Sequence, residues 1–401
     1  MEGTSEIFSG LTVLSLEQAT VVPYLTYRLA QDGVRVIRLE HPVYCDPNRR
    51  IGEPFRPDED RMCSYFFAIN AGKEAVTVNL KEERGRELLR RLIERLDVDA
   101  FITNQLPKNY NPLGIDYETL STVKPDLIWL GVSGFGPDSN EAAYDPILQA
   151  RGGLMDLTGE AGGDPQVTGI PLPDMGTSEH SYGLLMKALL KRSITGKGSR
   201  IDMAMIDSTV SWLTQPVTMA ATFAREMTRR GNTHEFFGPV SVYPTKDGYV
   251  YIAIGNDVQW KRLLSVPGFE GLEDGRFESN AGRMADAQEL NSRLAVITGQ
   301  FETEDLLTTF REALIPIAKV QGIREVMEDP AVKGKLLRTT DPETGFQVTM
   351  APPPAGTEFL EQHEGTMSFP PRHGEHNDGI YGEELGLGDQ ELEALRNDGV
   401  I

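Results

Sequence analysis

The sequence predicts an α/β protein: a large domain built on a Rossmann-like parallel sheet, joined to a smaller α+β domain. Two observations carry this reading. Short β-branched runs alternate with helical segments through the first third of the chain, and the pattern changes character near residue 225. Leu11 to Leu16 reads as a strand, Tyr24 to Gln31 as a helix and Val34 to Leu39 as a second strand, which makes a βαβ opening. Ala75 to Leu80 continues as a strand. Glu83 to Leu96 follows as a helix, because Leu88, Leu89, Leu92, Ile93 and Leu96 fall on one face. Phe101 to Asn104 and Leu127 to Val132 supply further buried strands, and sheets of this kind bind ligands at the carboxyl ends of their strands. A glycine-rich stretch, Arg151 to Gly163, precedes Pro171 and Pro173. Beyond it the pattern predicts a long helix from Ser178 to Arg192, the turn Gly196-Lys197-Gly198, a strand at Arg200 to Met205 and a helix from Ser208.

In the smaller domain Tyr249 to Ile254 reads as a strand, while Asp257 to Leu264, Ala287 to Ile297 and Thr303 to Leu314 read as helices. Thr303 has the character of an N-cap, with Glu304 and Asp305 beside the positive helix end. The Pro-rich Ala351 to Gly356 reads as a linker and Asp389 to Arg396 as a final helix. The expected limits are 1–227 for the first part of the large domain, 228–330 for the small domain and 331–401 for a C-terminal return to the large one.

The chain has 401 residues, 39% hydrophobic and 25% charged, which suffices for two domains and a sizeable core. Asp and Glu number 60 against 39 Lys and Arg, a formal charge of −21. Nucleic acid is excluded as a partner by that excess, since phosphate contacts need clustered cations. A local basic pocket can still hold a small anion. The opening MEGTSEIFSG carries neither a basic stretch nor an apolar run, and no segment stays apolar for the ~20 residues a membrane span requires. A cytoplasmic protein with no membrane partner is expected. Cys45 and Cys63 have no CxxC neighbour and no histidine set at ligand spacing, which predicts reduced thiols and no metal.

A dinucleotide-binding loop would place GxGxxG after the first strand, but that turn reads Gln18-Ala-Thr-Val-Val-Pro23. An NAD-type site is thereby excluded there. His373-Gly-Glu-His376 lacks the HExxH spacing and reads as a surface loop, and no GxSxG elbow is present. The informative segment is Gly169-Ile-Pro-Leu-Pro-Asp-Met-Gly-Thr-Ser178, where one carboxylate, Asp174, lies between a proline-constrained turn and a long helix. Asp at a helix start is a common cap. It can equally be a nucleophile, with free first-turn amides to keep it ionised and to stabilise an oxyanion beside it. Position alone leaves both roles open.

Pieces spread over nearly the whole chain resemble the class III CoA-transferase family. They include Val36-Ile-Arg-Leu-Glu-His-Pro42, Asn70-Ala-Gly-Lys73, Gly114-Ile-Asp-Tyr-Glu-Thr-Leu120, Val132-Ser-Gly-Phe-Gly136 and Tyr144-Asp145 with Gln149. Thr195-Gly-Lys-Gly198, Arg230-Gly-Asn232, Pro244-Thr-Lys-Asp-Gly248 and Gly255-Asn-Asp257 continue the order. The resemblance places Asp174 at the family's nucleophilic aspartate and implies CoA transfer through an aspartyl anhydride and an aspartyl-CoA thioester. It implies CoA contacts at Asn70, Ala71, Gly72 and Lys73, at Asn104, Gln105 and Leu106, and at Tyr144 and Asp145, with Lys73 facing phosphate. Thr20, Val21 and His41 join this set, although Thr20 and His41 stand where formyl-CoA transferases of the family carry glutamine and arginine, and Pro112 where they carry another arginine.

The implied substrates are CoA thioesters and a free carboxylic acid, with no permanently bound cofactor. The family's glycine-run loop is replaced by His234-Glu-Phe-Phe-Gly-Pro239. Phe236 and Phe237 are therefore expected to line a pocket for a larger acid, aromatic or aryl-succinate, with succinyl-CoA as donor. The resemblance also implies an intertwined homodimer or a heteromer with a homologous chain. A 2-methylacyl-CoA racemase is the rival reading, but it requires histidine where Tyr144 stands, and a phenol of pKa about 10 is a poor proton-transfer partner. A noncatalytic CoA-binding subunit is the third, and the presence of Asp174 argues against it.

Overall fold

The computed structural model describes residues 7–56 and 61–401; of the opening segment, residues 1–6 lie outside the described residues. Strands β1 (Thr12–Leu16), β2 (Arg35–Glu40), β3 (Lys73–Thr77), β4 (Ala100–Thr103), β5 (Ile128–Ser133) and β6 (Ser199–Ala204) form one sheet. Their order is β3-β2-β1-β4-β5-β6, and every neighbouring pair is parallel. Such a sheet is covered on both faces; the central β4 and β5 are apolar almost throughout, while β2, β3 and β6 also carry charged residues. In β5, Ile128, Leu130 and Val132 enter one core layer and Trp129 the other. One layer packs under the helices Val21–Gln31 and Leu172–Thr195, the other under Glu83–Arg95 and Asp389–Asn397. Strand order reverses between β1 and β4, and the crevice beyond their carboxyl ends is where such sheets place a ligand.

The helix Leu172–Thr195 starts well ahead of the expected Ser178. Proline is tolerated in a first turn, where its missing N–H has no helical partner, so Pro173 opens this helix rather than delaying it. Gly196, at φ +68°, closes it in the left-handed conformation that suits glycine. The His373 to His376 segment is not a free surface loop. The His376 amide donates to Ala75 O at 3.0 Å, Ala75 N–H donates to His376 Nδ1 at 3.2 Å and Thr77 N–H donates to Asn377 Oδ1 at 2.9 Å. The C-terminal segment thus covers the open edge of β3, a position that would otherwise invite pairing with another chain.

The chain forms two compact units. The first holds the described residues up to 154 together with 168–223 and 334–401; the second holds 155–167 and 224–333. In the second, β7 (Val240–Pro244), β8 (Tyr249–Ala253) and β9 (Ile317–Lys319) make an antiparallel sheet. It packs through Tyr243, Val250 and Ile252 on a core that includes Trp260, Leu263, Phe269 and Phe310. Thr303 is not the N-cap of its helix; Glu302 is. The Thr303 amide and hydroxyl both donate to Asp247 Oδ1, at 2.9 and 2.6 Å, so a loop carboxylate does the capping. The first unit also carries a hairpin of β10 (Leu337–Thr340) and β11 (Gln347–Met350) that the pattern did not predict. Among the described residues, no helix is long and apolar enough to cross a membrane.

Candidate active site

A pocket of about 270 Å³ opens at the reversal point of the sheet. Gln18, Ala19, Thr20 and Val21 reach it from the end of β1, Asn104, Gln105 and Leu106 from β4, and Val132, Ser133 and Gly134 from β5. Asn109, the segment Glu141 to Tyr144, Asp174 and Met205 complete the wall. Seven predicted site residues (Thr20, Val21, Asn104, Gln105, Leu106, Tyr144, Asp174) therefore share one cavity. The β1 loop that frames it is held firmly. Asn104 Nδ2 donates to Gln18 O at 2.8 Å and its Oδ1 accepts from Gln18 N–H at 3.2 Å, so this side chain ties β4 to β1. Ala19 sits at φ +61°, strained for a residue with a Cβ, and is pinned by Asp46 Oδ1 on its N–H and Asn48 Nδ2 on its carbonyl.

Asp174 lies in the first turn of Leu172–Thr195, whose N-cap Pro171 offers no capping side chain. Among the described residues no donor reaches its carboxylate, so it does not cap the helix through that side chain. Two residues on, Gly176 lets the Trp212 ring pack against the helix; a Cβ there would fall 2.4 Å from that ring. The Ser178 hydroxyl donates to Val21 O at 2.5 Å, fastening this helix to the start of Val21–Gln31. Nearby amides were expected to keep Asp174 ionised. The opposite holds: burial, with the like charge of Asp145 added, pushes its carboxyl up to about 7.

The folded protein thus holds the Asp174 proton more tightly than the unfolded chain, where its value is near 3.8. Stability from this group is therefore lost as pH rises through the interval from the unfolded to the folded value, and the deficit is complete above the latter. Asp174→Asn removes it. The variant is expected to be more stable than the parent at pH 8, by about 2–4 kcal/mol, and to lose that advantage towards acid pH. Unfolding curves of both proteins at pH 5 and pH 8 check this, and a difference independent of pH contradicts it.

The structure places Asn70 to Lys73 away from that pocket wall. Asn70 and Ala71 are fully buried, Lys73 is 2% exposed, and Gly72 adopts φ +80° where the chain turns into β3. Lys73 Nζ donates to Glu17 Oε1 at 3.0 Å, to Asn70 Oδ1 at 2.8 Å and to Pro23 O at 2.8 Å, which uses all three of its protons within the fold. Arg38 joins the same cluster through Asp46 at 2.9 Å, Glu40 at 3.3 Å and Asn70, and Arg49 pairs with Glu40 at 2.6 Å. Burial would raise the Glu17 carboxyl, but Lys73 and Arg38 outweigh it and hold Glu17 below its ordinary value. Phe236 and Phe237 belong to the second unit, where Phe237 stacks on His234 with ring centroids 3.7 Å apart and Phe236 is 37% exposed.

A larger cavity, about 510 Å³, shares Gln18, Gln105 and Asn109 with the Asp174 pocket. It lies over the carboxyl ends of β1, β2 and β3 and is lined by His41, Tyr44, Asn79 and Lys81 among others. Burial, then the charge of Lys81, lowers the His41 imidazole. Tyr44, Asn79 and Lys81 were missed from sequence. Their signal was position alone: Tyr44 and Lys81 follow expected strand ends on the side where ligands bind, while Asn79 lies within the expected Ala75 to Leu80 strand and follows the actual end of β3 at Thr77.

The description CoA-transferase family III matches residues 8–377. A succinate–glutarate CoA-transferase of Agrobacterium fabrum is 33% identical over 337 residues, 82% of this chain and 84% of that protein. A succinyl-CoA:glutarate CoA-transferase of Mus musculus is 30% identical over 400 residues, 98% of this chain and 89% of the relative. A CAIB/BAIF family protein of Brucella suis, solved as a crystal structure, superposes with a TM-score of 0.82 at 32% identity, covering 94% of this chain and 99% of its own. With the match spanning both units and the parallel sheet shared, the chain belongs to CoA-transferase family III and is a CoA-transferring enzyme.

Proposed function

We propose that this enzyme moves CoA from succinyl-CoA to a short dicarboxylic acid, with Asp174 as the covalent carrier. The carrying observation is that, of the two carboxylates on the pocket wall, Glu141 pairs with Arg151 while Asp174 is raised towards neutral pH, in a pocket that adjoins a cavity of nucleotide size. An Asp174 oxygen attacks the thioester carbon and CoA leaves as thiolate, forming a mixed anhydride. The thiolate then attacks the Asp174 carbonyl carbon of that anhydride, releasing succinate and leaving an aspartyl-CoA thioester. The acceptor carboxylate attacks this thioester, and the freed thiolate takes the acceptor's acyl group, restoring Asp174. No proton is consumed and each activated bond replaces another, so no nucleoside triphosphate is needed. An ordinary carboxylate is far less basic than a departing thiolate, whose reference pKa is about 8.5. Raising Asp174 narrows that gap, which eases formation of the anhydride.

The larger cavity suits the nucleotide end of CoA, with Lys81 placed for phosphate. The acceptor class is supported by the relatives, three of which are named for glutarate and others for oxalate or mesaconate. Incubation with succinyl-CoA and a panel of free acids, read by mass spectrometry, is expected to give glutaryl-CoA or a close homologue together with free succinate. Transfer confined to aromatic or aryl-succinate acids would restore the acceptor expected from Phe236 and Phe237. Deuterium entering the α-carbon of a 2-methylacyl-CoA, with no acid present and no transfer to any acid, would overturn the proposal in favour of a racemase.

A further inference from the structure

We propose that Asp145, held by Gln149, is a positioning residue for Asp174 rather than a contact for CoA. The inference rests on Asp174 being the nucleophile. Asp145 begins the short helix Asp145–Arg151 and is 7% exposed. Both of its oxygens are engaged: Oδ2 accepts the Asp174 backbone N–H at 3.2 Å, and Oδ1 accepts Gln149 Nε2 at 2.5 Å. Gln149, 2% exposed, is fixed in turn, since its Oε1 accepts the Thr168 N–H at 2.9 Å. With a carboxylate at one end and an N–H at the other, its amide has one satisfactory orientation.

A first-turn N–H has no partner inside its own helix. The helix of Asp174 has a proline at its N-cap, which supplies none, and the Asp145 carboxylate takes that place from another helix. A serine or asparagine would satisfy the amide equally well. A carboxylate does something more, because its charge raises the Asp174 carboxyl after burial has done so. On the elements packed against this helix, Arg28 of Val21–Gln31 pairs with Glu179, Arg151 of the Asp145 helix pairs with Glu141 on the pocket wall, Asp207 lies on Met205–Ser211, and Arg200 of β6 pairs with Glu118 and Asp202. Of the charged groups, Asp145 is the one whose field acts on Asp174. The pair Asp145–Gln149 therefore fixes the backbone from which the nucleophile projects and keeps that nucleophile basic.

Asp145→Ala tests the first effect, and Asp145→Asn, which keeps one acceptor for the Asp174 N–H while giving up the charge and the Gln149 bond, tests the second. Loss of the anchor is expected to lower kcat about 10- to 100-fold, with KM for the acyl-CoA changed less than about threefold. In Asp145→Asn much of kcat should return, and the acidic limb of kcat/KM should move to lower pH than in the parent. An unchanged kcat with raised KM in Asp145→Ala would make Asp145 a CoA contact and overturn the proposal. A superimposable pH profile in Asp145→Asn would overturn the electrostatic part, and this variant carries the test if Asp145→Ala does not fold. Asp174→Ala, run alongside, separates the two readings: if it exchanges CoA at the parent rate, the nucleophile is misassigned. If it is inactive while Asp145→Ala is fully active, only the positioning role fails.

Discussion

Asp174→Ala is expected to lower CoA exchange by at least about 10³-fold while leaving acyl-CoA binding close to that of the parent. The asymmetry follows from where the side chain sits. Asp174 is one residue of a wall built from three strand ends, and the larger cavity that suits the nucleotide contains no atom of it. Removing the carboxylate deletes the covalent route without dismantling the surface that holds the ligand. Isothermal titration with acyl-CoA, beside steady-state exchange rates, separates the two quantities. Equal losses in binding and turnover would mean that the residue holds the ligand rather than carrying it.

The second large effect concerns stability. Arg38, Arg49 and Lys73 meet Glu17, Glu40 and Asp46 in a buried cluster whose formal charges cancel. Burial would raise Glu40, but Arg38 and Arg49 hold its carboxyl well below the usual range. Replacing Arg38 with Met leaves three nearly buried carboxylates facing two cations at the floor of the larger cavity, and breaking a buried arrangement of this kind costs about 3–5 kcal/mol. The unfolding midpoint in urea should fall accordingly. Glu17→Gln combined with Arg38→Met should cost less than Arg38→Met alone, because the surplus charge goes with its partner. A surface-like change, below about 1 kcal/mol, would contradict the burial argument. The cluster also bears on function: Asp46 pins Ala19, Glu17 directly follows β1, and both steady the loop that borders the Asp174 pocket.

Much of the first unit was legible because parallel strands buried on both faces announce themselves as apolar runs. Helix Glu83–Arg95 was legible because its buried residues keep helical spacing. In the second unit β8 alternates buried and exposed residues and was read, whereas β7, of the same length, buries Val240 and Tyr243 without that alternation, and β9 has only three residues. Lys73 shows a different obstacle. The resemblance implies a phosphate partner for it, and nothing local contradicts that, since lysines are mostly exposed. Its actual partner, Glu17, lies 56 residues away in sequence, and no local pattern records that pairing. Asp174 was found through motif order, yet its basicity was misjudged, because the burial and the Asp145 charge that raise it come from other elements. Asp145 and Gln149 were read from the resemblance as a matching pair, while their bond to the Asp174 backbone appears only once two helices meet.

The most direct test is to quench the enzyme during turnover with succinyl-CoA, digest it and weigh the peptide that contains Asp174. That peptide is predicted to carry an acyl or CoA adduct, and mild hydroxylamine should convert the adduct to a hydroxamate at this side chain. An unmodified peptide throughout steady exchange would contradict covalent transfer through Asp174.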